Sequence, residues 1–402
     1  MAALAASQLV SSLGGQMTWL ALPWFVLVTT GSASRMALVF AVEVLPIALF
    51  GILSGTVVQR WGTRKTMLIS DAAAAPLIAL VPLLHAAGVL SFGLLLAVVF
   101  AIGTFAAPYF SSTRLILAEI LGDDEQQVAQ GNSLLEGAIE LSGFAGPALA
   151  GVLIGTIGAT NVLWIDAASY VVSFLLIALF VRPTVPVSPV KEERGTLAGL
   201  RFIVGDRLLR SVAGVSFLFG VFMPLLFVAL PVMAYERFDG RPQAAGWLFA
   251  AWGAGSVAGS VLAYRAAGRI APLQLARAAA VLCVLPLWAL PVTLPLGAVA
   301  ASIFACAFFV PAINAPVLGL FTLRTPTELR GKVMTALFTT NSIARPASFA
   351  LSGPLLHLAG LTGAFLILAG GLSTAALILA IATRHADVAH LRPTLGEEAR
   401  AV

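Results

Sequence analysis

The sequence predicts an all-α integral membrane protein with twelve transmembrane helices, arranged as two pseudo-symmetric six-helix bundles. Of its 402 residues, 59% are hydrophobic and only 10% are charged, whereas a soluble domain carries about 25% charged residues. The mean hydropathy is +0.99, so most of the chain must face lipid or other apolar helices. Because a spanning helix needs roughly 20 apolar residues, this length accommodates about twelve spans with short connections.

Two unrelated landmarks recur half a chain apart, and they predict the division into two bundles. A glycine- and arginine-containing loop around Gly62 lies between two apolar stretches, and a shorter copy around Gly268 follows 206 positions later. The dipeptide Gly-Pro at 146–147 recurs at 353–354, an offset of 207 positions. Nearly equal offsets indicate a duplicated half of roughly 200 residues, an organisation typical of secondary transporters.

The apolar stretches place the spans in chain order. In the first half we predict spans at 4–28, 35–58, 66–87, 91–113, 128–156 and 159–181. In the second half we predict spans at 209–234, 243–264, 272–291, 294–321, 332–357 and 361–383. The connections at about 87–91, 156–160, 291–294 and 357–361 are very short and uncharged, so the helices that they join must be antiparallel neighbours.

The longest connection lies at mid-chain, where the junction between two bundles is expected. Three prolines between positions 183 and 189 prevent a continuous helix at its start. Further on, Leu197, Leu200, Ile203 and Val204 recur at helical spacing, which predicts a surface helix at the cytoplasmic interface. The predicted organisation is a bundle at 1–182, a linker with this interfacial helix at 183–208, a second bundle at 209–384 and a cytoplasmic tail at 385–402.

Basic residues fall mostly on one side of the predicted membrane. Arg35, Arg237 and Arg241 fall on the other side and Arg345 lies within a span, which leaves 19 of the 23 lysines and arginines together. The positive-inside rule then places both termini in the cytoplasm. Arginine greatly outnumbers lysine, as in GC-rich bacteria, so the predicted location is the bacterial cytoplasmic (inner) membrane. No clustered basic surface domain is visible, which argues against nucleic-acid binding.

Several function classes are excluded by what the sequence lacks. The two cysteines, Cys283 and Cys306, both lie within apolar spans and have no metal-ligand spacing, so we expect packing residues and no metal site. The chain has no nucleophile–base arrangement and no phosphate-binding loop, which argues against an enzyme and against direct drive by ATP. The first span lacks a basic flank and a cleavage site, so we expect no cleavable signal peptide. We also expect no cofactor.

The loop between the second and third spans carries a recognisable pattern. Its residues are Gly55, Gln59, Arg60, Gly62, Arg64 and Lys65. Gly55 permits close helix approach, Gly62 permits a tight turn, and the basic residues hold the loop at the cytoplasmic surface. This pattern resembles the signature cytoplasmic loop of the major facilitator superfamily, in which an acid at the position of Gln59 latches the outward-open state.

Gln59 can hydrogen-bond but cannot form an ion pair, which puts a charge-dependent latch at that position in doubt. Asp71, on the next helix, is the candidate negative partner for Arg60 or Arg64. The alternative is that these arginines only obey the positive-inside rule.

Span five contains small residues that resemble the antiporter motif of the same superfamily. They are Gly143, Gly146, Pro147 and Gly151. The family form has a further glycine beside Gly151, where this chain has Ala150 and Val152. A smooth, kinked helix face of this kind seals against the other bundle, and the motif is associated with exporters rather than importers.

Further stretches resemble the drug–proton antiporter group that includes macrolide efflux proteins. They lie at 11–14, 20–23, 105–114, 130–134, 164–170, 199–203 and 326–333. They span nearly the whole chain in order. The resemblance implies the major facilitator fold and proton-coupled export by alternating access, with a small amphipathic substrate, protons and the lipid bilayer as partners and a monomer as the assembly.

Ionisable residues within the spans are the candidate coupling groups, because charge inside a membrane needs a partner, water or a function. Glu136 and Glu140 are four residues apart, so they share the helix face that continues into the antiporter motif. Two neighbouring carboxylates in a low dielectric are suited to holding a proton between them. Glu43 in span two is the third candidate.

Arg345 lies in span eleven at a depth comparable to that of Glu140, 205 positions earlier. It is the predicted buried counter-ion of Glu43 or, more loosely, of Glu140. The alternative is a static ion pair that only sets helix packing. Asp166 lies near an outer helix end and is predicted to be a structural hydrogen-bonding residue.

Four side chains are candidates for lining a substrate cavity: Tyr109, Trp252, Asn314 and Asn341. Tyr and Trp also favour membrane interfaces, and asparagines bridge helices, so each of these has a structural alternative. The preferred hypothesis is export of amphipathic drugs, with an outer proton taken up at Glu136 and Glu140. The alternatives are a dedicated exporter of one metabolite or siderophore and a membrane sensor that transports nothing.

Overall fold

The computed structural model describes residues 2–121, 125–181, 196–266, 269–326 and 329–384. The first six helices are α1 (Ala2–Thr30), α2 (Ala33–Trp61), α3 (Thr63–Ala86), α4 (Phe92–Leu121), α5 (Glu125–Ile157) and α6 (Ala159–Phe180). The rest are α7 (Thr196–Gly205), α8 (Arg207–Arg237), α9 (Pro242–Ala266), α10 (Pro272–Val284) with a 3-10 turn (Leu285–Ala289), α11 (Leu296–Arg324) and α12 (Arg330–Ala382). The predicted tail at 385–402, residues 183–195 of the linker, and Gly268 lie outside the described residues.

Every predicted span falls on one of these helices. Within the described residues, ten helical segments are long and apolar enough to cross a membrane, although α1 is not among them. The 53 residues of α12 would extend about 80 Å at 1.5 Å per residue, far more than one crossing needs. Its backbone leaves the helical conformation at Gly360 (φ 66°, ψ 176°), so α12 contains the last two predicted spans.

The connections opposite the chain ends are all short. They comprise residues 31–32, 87–91, 158, 238–241, 290–295 and the single residue Gly360 inside α12. Glycines with positive φ turn the chain at Gly31, Gly88, Gly158, Gly240 and Gly360. Residues other than glycine rarely adopt this conformation, which explains why such brief turns are possible here.

The first six helices pack closely against one another. The α1 helix contacts α5 and α6, α3 contacts α4 and α6, and α2 contacts α4. Glycines permit close approaches between these helices. A Cβ atom at Gly14 of α1 would lie 2.2 Å from Ser169 Oγ of α6, and one at Gly103 of α4 would lie 2.8 Å from the Glu43 carbonyl oxygen of α2. The hydrophobic effect does not drive helices together in lipid, so helix association depends on the close packing that small residues permit.

The folded chain divides into two compact units. The first comprises Met1–Lys191, Phe227–Gly253 and Phe349–Leu358, and the second comprises Glu192–Leu226, Ala254–Ser348 and Ala359–Val402. Parts of α8, α9 and α12 therefore belong to the same unit as α1–α6.

Within the first unit, glycines bring α9 and α12 into backbone contact with α5 and α2. A Cβ atom at Gly151 of α5 would lie 2.6 Å from the Cα atom of Gly246 in α9, and one at Gly353 of α12 would lie 2.4 Å from the Cα atom of Ser34 in α2. Gly253 makes a similar contact with Phe144 of α5. We call Gly151, Gly246, Gly253 and Gly353 the glycine seam.

In the second unit, the predicted linker helix is confirmed as α7, and it packs on the start of α12. A Cβ atom at Gly199 would lie 2.1 Å from the Lys332 carbonyl oxygen, so α7 sits directly on that backbone. The buried side of α7 carries Gly199 and Ile203, whereas Leu200 and Val204 are exposed. The close approach at Gly199 decides which side of α7 the protein covers, and the position of α7 at the membrane interface stays a prediction.

Asp206 joins α7 to α8 and to the end of α11. Its Oδ1 atom accepts hydrogen bonds from the backbone N–H groups of Leu208 (2.8 Å) and Leu209 (3.0 Å), and Arg324 Nε donates to its Oδ2 atom at 2.7 Å. Partial burial opposes ionisation of this carboxyl, but the Leu209 N–H, the Arg324 guanidinium and the Leu208 N–H outweigh it. The pKa of Asp206 therefore lies below its ordinary value of 3.8.

We expect Asp206→Ala to lower the free energy of unfolding by about 1 kcal/mol, the usual cost of losing a helix N-cap. A carboxyl with a depressed pKa contributes stability that is fully present above its unfolded value of 3.8 and is lost as pH falls through the lower folded value. Thermal unfolding in detergent should thus show a constant difference from wild type at neutral pH that narrows below about pH 4. Asp239→Asn is the control, since its pair with Arg241 is largely exposed. A difference that persists undiminished at pH 3 would contradict this reading of Asp206.

Candidate functional site

A cavity of about 280 Å³ lies among α1–α6 within the first unit. We call it the amino-terminal cavity. Apolar and aromatic side chains form much of its wall, together with hydroxyls and amides. Among the described residues that line it, two carry a carboxyl group, Glu43 and Asp71, and none is a lysine, arginine or histidine. A concave, largely apolar space with a few polar groups and one sign of charge is the usual form of a small-molecule site.

Glu43 comes from the middle of α2 and is half-buried. Its Oε2 atom is buried and has no hydrogen-bond partner. The Trp19 ring of α1, which also lines the cavity, packs against Phe40 one turn earlier on α2, with ring centroids 5.0 Å apart. The carboxyl therefore lies in a wall that is otherwise aromatic and apolar, formed on the same helix by Val44 and Ile47.

Asp71 comes from α3 and is completely buried. The Ser173 hydroxyl of α6 donates a hydrogen bond to its Oδ2 atom at 2.7 Å, while its Oδ1 atom has no partner. The predicted pairing of Asp71 with Arg60 or Arg64 is wrong, because Asp71 lies about 10 Å along the helix from Arg64. Instead, Arg64 Nη2 donates to the Ala178 carbonyl oxygen at 2.7 Å, and Arg60 is exposed.

The loop between α2 and α3 turns at Gly62, as predicted. This residue has φ +78° and ends α2 through a hydrogen bond from its N–H to the Val58 carbonyl oxygen at 2.8 Å. The next residue, Thr63, donates through its hydroxyl to the Glu119 carboxylate at the end of α4. The Glu119 contact was not predicted, since nothing in the α4 sequence indicates which turn faces the loop. Gln59 and Lys65 are exposed and Gly55 is half-buried, and the gating role of the loop stays a prediction.

Glu136 and Glu140 of α5 are both exposed and do not line the amino-terminal cavity, although Ile139 between them does. The expected enclosure of these two carboxylates is therefore not observed. Phe144, one turn beyond Glu140, contacts Gly253 of α9. The face of α5 that carries the two glutamates therefore lies toward α9 and not toward the interior of the first six helices.

The glycines of the antiporter motif contact two neighbouring helices, α1 and α9. A Cβ atom at Gly146 would lie 2.5 Å from Gln16 Cβ of α1, whereas Gly151 meets Gly246 of α9. Pro147 is buried, and its carbonyl oxygen would lie 2.9 Å from a Cβ atom at Gly246. Gly143 is half-buried, 4.0 Å from Gln16 Nε2 when a Cβ atom is added. The motif therefore packs closely on both sides, and its role in transport stays a prediction.

Arg345 is exposed, so the expected burial of this side chain is not observed, and its role as a counter-ion stays a prediction. Depth along a helix does not fix the direction of a side chain, so a depth shared with Glu140 was not enough to predict its surroundings. Asp166, in contrast, is confirmed as a structural residue. It is completely buried and accepts hydrogen bonds from Thr18 at 2.5 Å and Ser169 at 3.1 Å.

Of the four predicted cavity residues, Tyr109 lines the amino-terminal cavity. Trp252 packs edge-on against Phe227, with ring centroids 5.2 Å apart. Asn314 is exposed, and Asn341 lies half-buried beside Gly220 with its Oδ1 atom unpartnered. The contact of these three with substrate stays a prediction.

The sequence analysis missed the polar side of α1. Gln8, Ser12 and Gln16 are spaced four residues apart, and all three line the cavity. Gln8 Nε2 donates to Ser12 Oγ at 2.7 Å. Polar residues at i, i+4 and i+8 on an otherwise apolar helix indicate a face that contacts water.

Comparison with known proteins agrees with this architecture. Residues 4–349 match the model of the Major Facilitator Superfamily. The chain is 30% identical over 382 residues to "Multidrug efflux pump Tap" of Mycolicibacterium fortuitum, a match that covers 90% of each chain. It is 29% identical over 385 residues to the pump of the same name from Mycobacterium tuberculosis (strain ATCC 25618 / H37Rv), covering 90% of this chain and 88% of the relative. The solved nucleoside transporter NupG superposes with a TM-score of 0.76 over 95% of this chain and 98% of its own, and at 13% identity this likeness shows the fold alone.

Proposed function

Because the chain belongs to the Major Facilitator Superfamily, we propose that it exports amphipathic drugs by alternating access in exchange for protons. Similarity to pumps named for multidrug efflux, across nine-tenths of the chain, supports the export of drugs. The superfamily and the apolar helices establish a multi-pass membrane transporter of small substrates, not an enzyme.

The proposed setting is the bacterial cytoplasmic membrane, with both termini in the cytoplasm and a monomer as the working unit. The strong bias of lysine and arginine to one side supports this orientation. The first bundle at 1–182 and the second at 209–384 rock against each other, with the linker at 183–208 joining them. The loop at Gly62 and the antiporter motif act as the gates of this motion.

The amino-terminal cavity carries this proposal, because it is lined by carboxyl groups and by no basic side chain. Burying an unpaired carboxylate is costly, and either a proton or a cationic group on the substrate removes that cost. The two can therefore substitute for each other within the same cavity. Such substitution couples the uptake of a proton to the release of a drug.

Glu43 and Asp71 are the leading coupling residues in this scheme, since each has a buried, unpartnered oxygen atom and lines the cavity. Glu136 and Glu140 are the second candidates. Their exposure allows exchange of protons with water, but it removes the low-dielectric environment on which their selection rested.

Glu43→Gln is expected to reduce proton-driven transport by roughly tenfold or more, because glutamine has no negative charge to pair with a cationic drug, and an interaction of this kind with a charged group contributes about 1.5–3 kcal/mol. The measurement is accumulation of the fluorescent cation ethidium in liposomes that contain purified protein, with and without an imposed pH gradient. Glu236→Gln, which alters an exposed carboxylate at the end of α8, is the matched control and should leave transport unchanged. Normal transport by Glu43→Gln together with loss in Glu140→Gln would move the coupling site to α5.

A further inference from the structure

The two carboxyl groups of the amino-terminal cavity differ in their surroundings, and we propose that they divide the work of antiport. Asp71, which is completely buried, binds the exchanged proton, and Glu43 binds the cationic group of the drug. This inference rests on the proposed function and assigns separate ligands to the two carboxyl groups of the same cavity.

Asp71 is completely covered by neighbouring groups, a setting that suits a proton better than an organic amine. Its side chain is 0% exposed, and one of its oxygens already accepts the hydrogen bond from Ser173. The other oxygen is buried and has no hydrogen-bond partner, and the residue lines the cavity. Tyr109 and Tyr170 line the same cavity.

No positive charge in the described part of the chain offsets Asp71. The elements that face it offer Gln8 and Ser11 on α1, Glu43 on α2, Tyr109 on α4, and Tyr170 on α6 with Asp166 one turn earlier. On α3 itself, Arg64 lies two turns away and donates to the Ala178 carbonyl oxygen. Glu119, at the end of α4, accepts from Thr63 rather than facing this pocket. Among the side chains that the structure describes, none neutralises Asp71, so we assign this role to a proton.

Glu43 has the surroundings that an amphipathic cation requires. It is half-buried rather than enclosed, and Trp19, Ile47 and Phe110 lie along the same cavity wall. The Phe110 side chain is 51% exposed, so this wall is open to a ligand. An ammonium group can reach the carboxylate while the apolar body of the drug packs on the aromatic rings.

The division of labour gives the direction of transport. With Asp71 ionised, the cavity holds two negative charges and retains a cation at Glu43. A proton from water on the outer side converts the Asp71 carboxylate to a neutral carboxyl, which weakens the hold on the drug and releases it outward. When the cavity opens inward, the proton passes to cytoplasmic water, and the restored charge recruits the next drug molecule.

The test separates driven transport from exchange in protein-containing liposomes, with ethidium as the probe. Asp71→Asn should lose accumulation driven by a pH gradient but retain exchange of internal for external ethidium, and its ethidium affinity should no longer vary with pH. Glu43→Gln should lose ethidium binding and both modes of transport. Asp71→Glu, which restores an acid, should regain gradient-driven accumulation.

A second variant covers the case in which Asp71→Asn does not fold. Ser173→Ala removes the hydrogen bond to Asp71 and should displace the pH midpoint of ethidium affinity, whereas a purely structural Asp71 would leave that midpoint unchanged and overturn the inference. Wild-type protein that ignores the pH gradient would overturn the proposed function itself. Wild-type protein that responds, together with an equal response from Asp71→Asn, would overturn only the assignment of the proton to Asp71.

Discussion

Gly246→Leu is expected to abolish transport while the protein still folds. In the structure, a Cβ atom at Gly246 would lie 2.7 Å from the Gly151 Cα atom and 2.9 Å from the Pro147 carbonyl oxygen. These are backbone atoms of a neighbouring helix, so they cannot turn aside as a flexible side chain could. A leucine would hold α9 away from α5 and prevent the glycine seam from closing. A transporter that cannot close one end cannot alternate its access.

The measurement for Gly246→Leu is ethidium transport in liposomes, paired with the melting temperature of the purified protein. Gly137→Ala is the control on α5, since nothing lies within 4 Å of a Cβ atom there. This exchange should preserve transport and raise stability slightly, as alanine favours a helix over glycine by about 1 kcal/mol. Full transport by Gly246→Leu would show that the seam is not part of the cycle.

Gly14→Val is expected to prevent the first six helices from assembling. A Cβ atom at Gly14 would lie 2.2 Å from Ser169 Oγ and 2.3 Å from Asp166 Oδ1. Both atoms are committed to hydrogen bonds around the buried Asp166 carboxyl, so moving them breaks that network. Overpacking costs about 1–3 kcal/mol, and loss of hydrogen bonds to a charged group adds about 1.5–3 kcal/mol. The sum is a large part of the stability of most proteins.

The adjacent residue provides a matched control for Gly14→Val. At Gly15 the nearest atom to a Cβ would be the Tyr170 hydroxyl oxygen at 3.7 Å, an ordinary contact. Gly15→Ala should therefore give a normal yield of monodisperse protein in detergent, while Gly14→Val gives little. Equal yields and melting temperatures for the two variants would contradict the contact between α1 and α6.

The fold could be predicted from the sequence because the patterns that indicate it are local. Long apolar stretches define spans, and Gly62 marks a turn wherever the neighbouring helices lie. The duplicated Gly-Pro dipeptide likewise needs no knowledge of side-chain direction. Even the interfacial helix was predicted, although its covered side depended on the contact of Gly199 with the Lys332 backbone.

The site was harder to read because it depends on how each helix is rotated about its axis. Glu43 and Glu140 are both glutamates at mid-helix, yet one reaches the cavity and the other is exposed. Asp71 was chosen for its charge and assigned to the loop arginines, but its partner is Ser173, 102 positions later in the chain. No local pattern in one sequence encodes such a pairing.

The brief connections at 31–32, 87–91, 158, 238–241, 290–295 and Gly360 leave little polypeptide outside the helices at those turns. The longest are the five- and six-residue segments 87–91 and 290–295, and the last hairpin turns at Gly360 alone. An antibody, a phage or an imaging fiducial would have little polypeptide to bind there. For a protein of 41.6 kDa, electron microscopy would need an engineered handle. The turn at Asp239–Arg241 is the natural place to insert one, because both side chains of its ion pair are largely exposed.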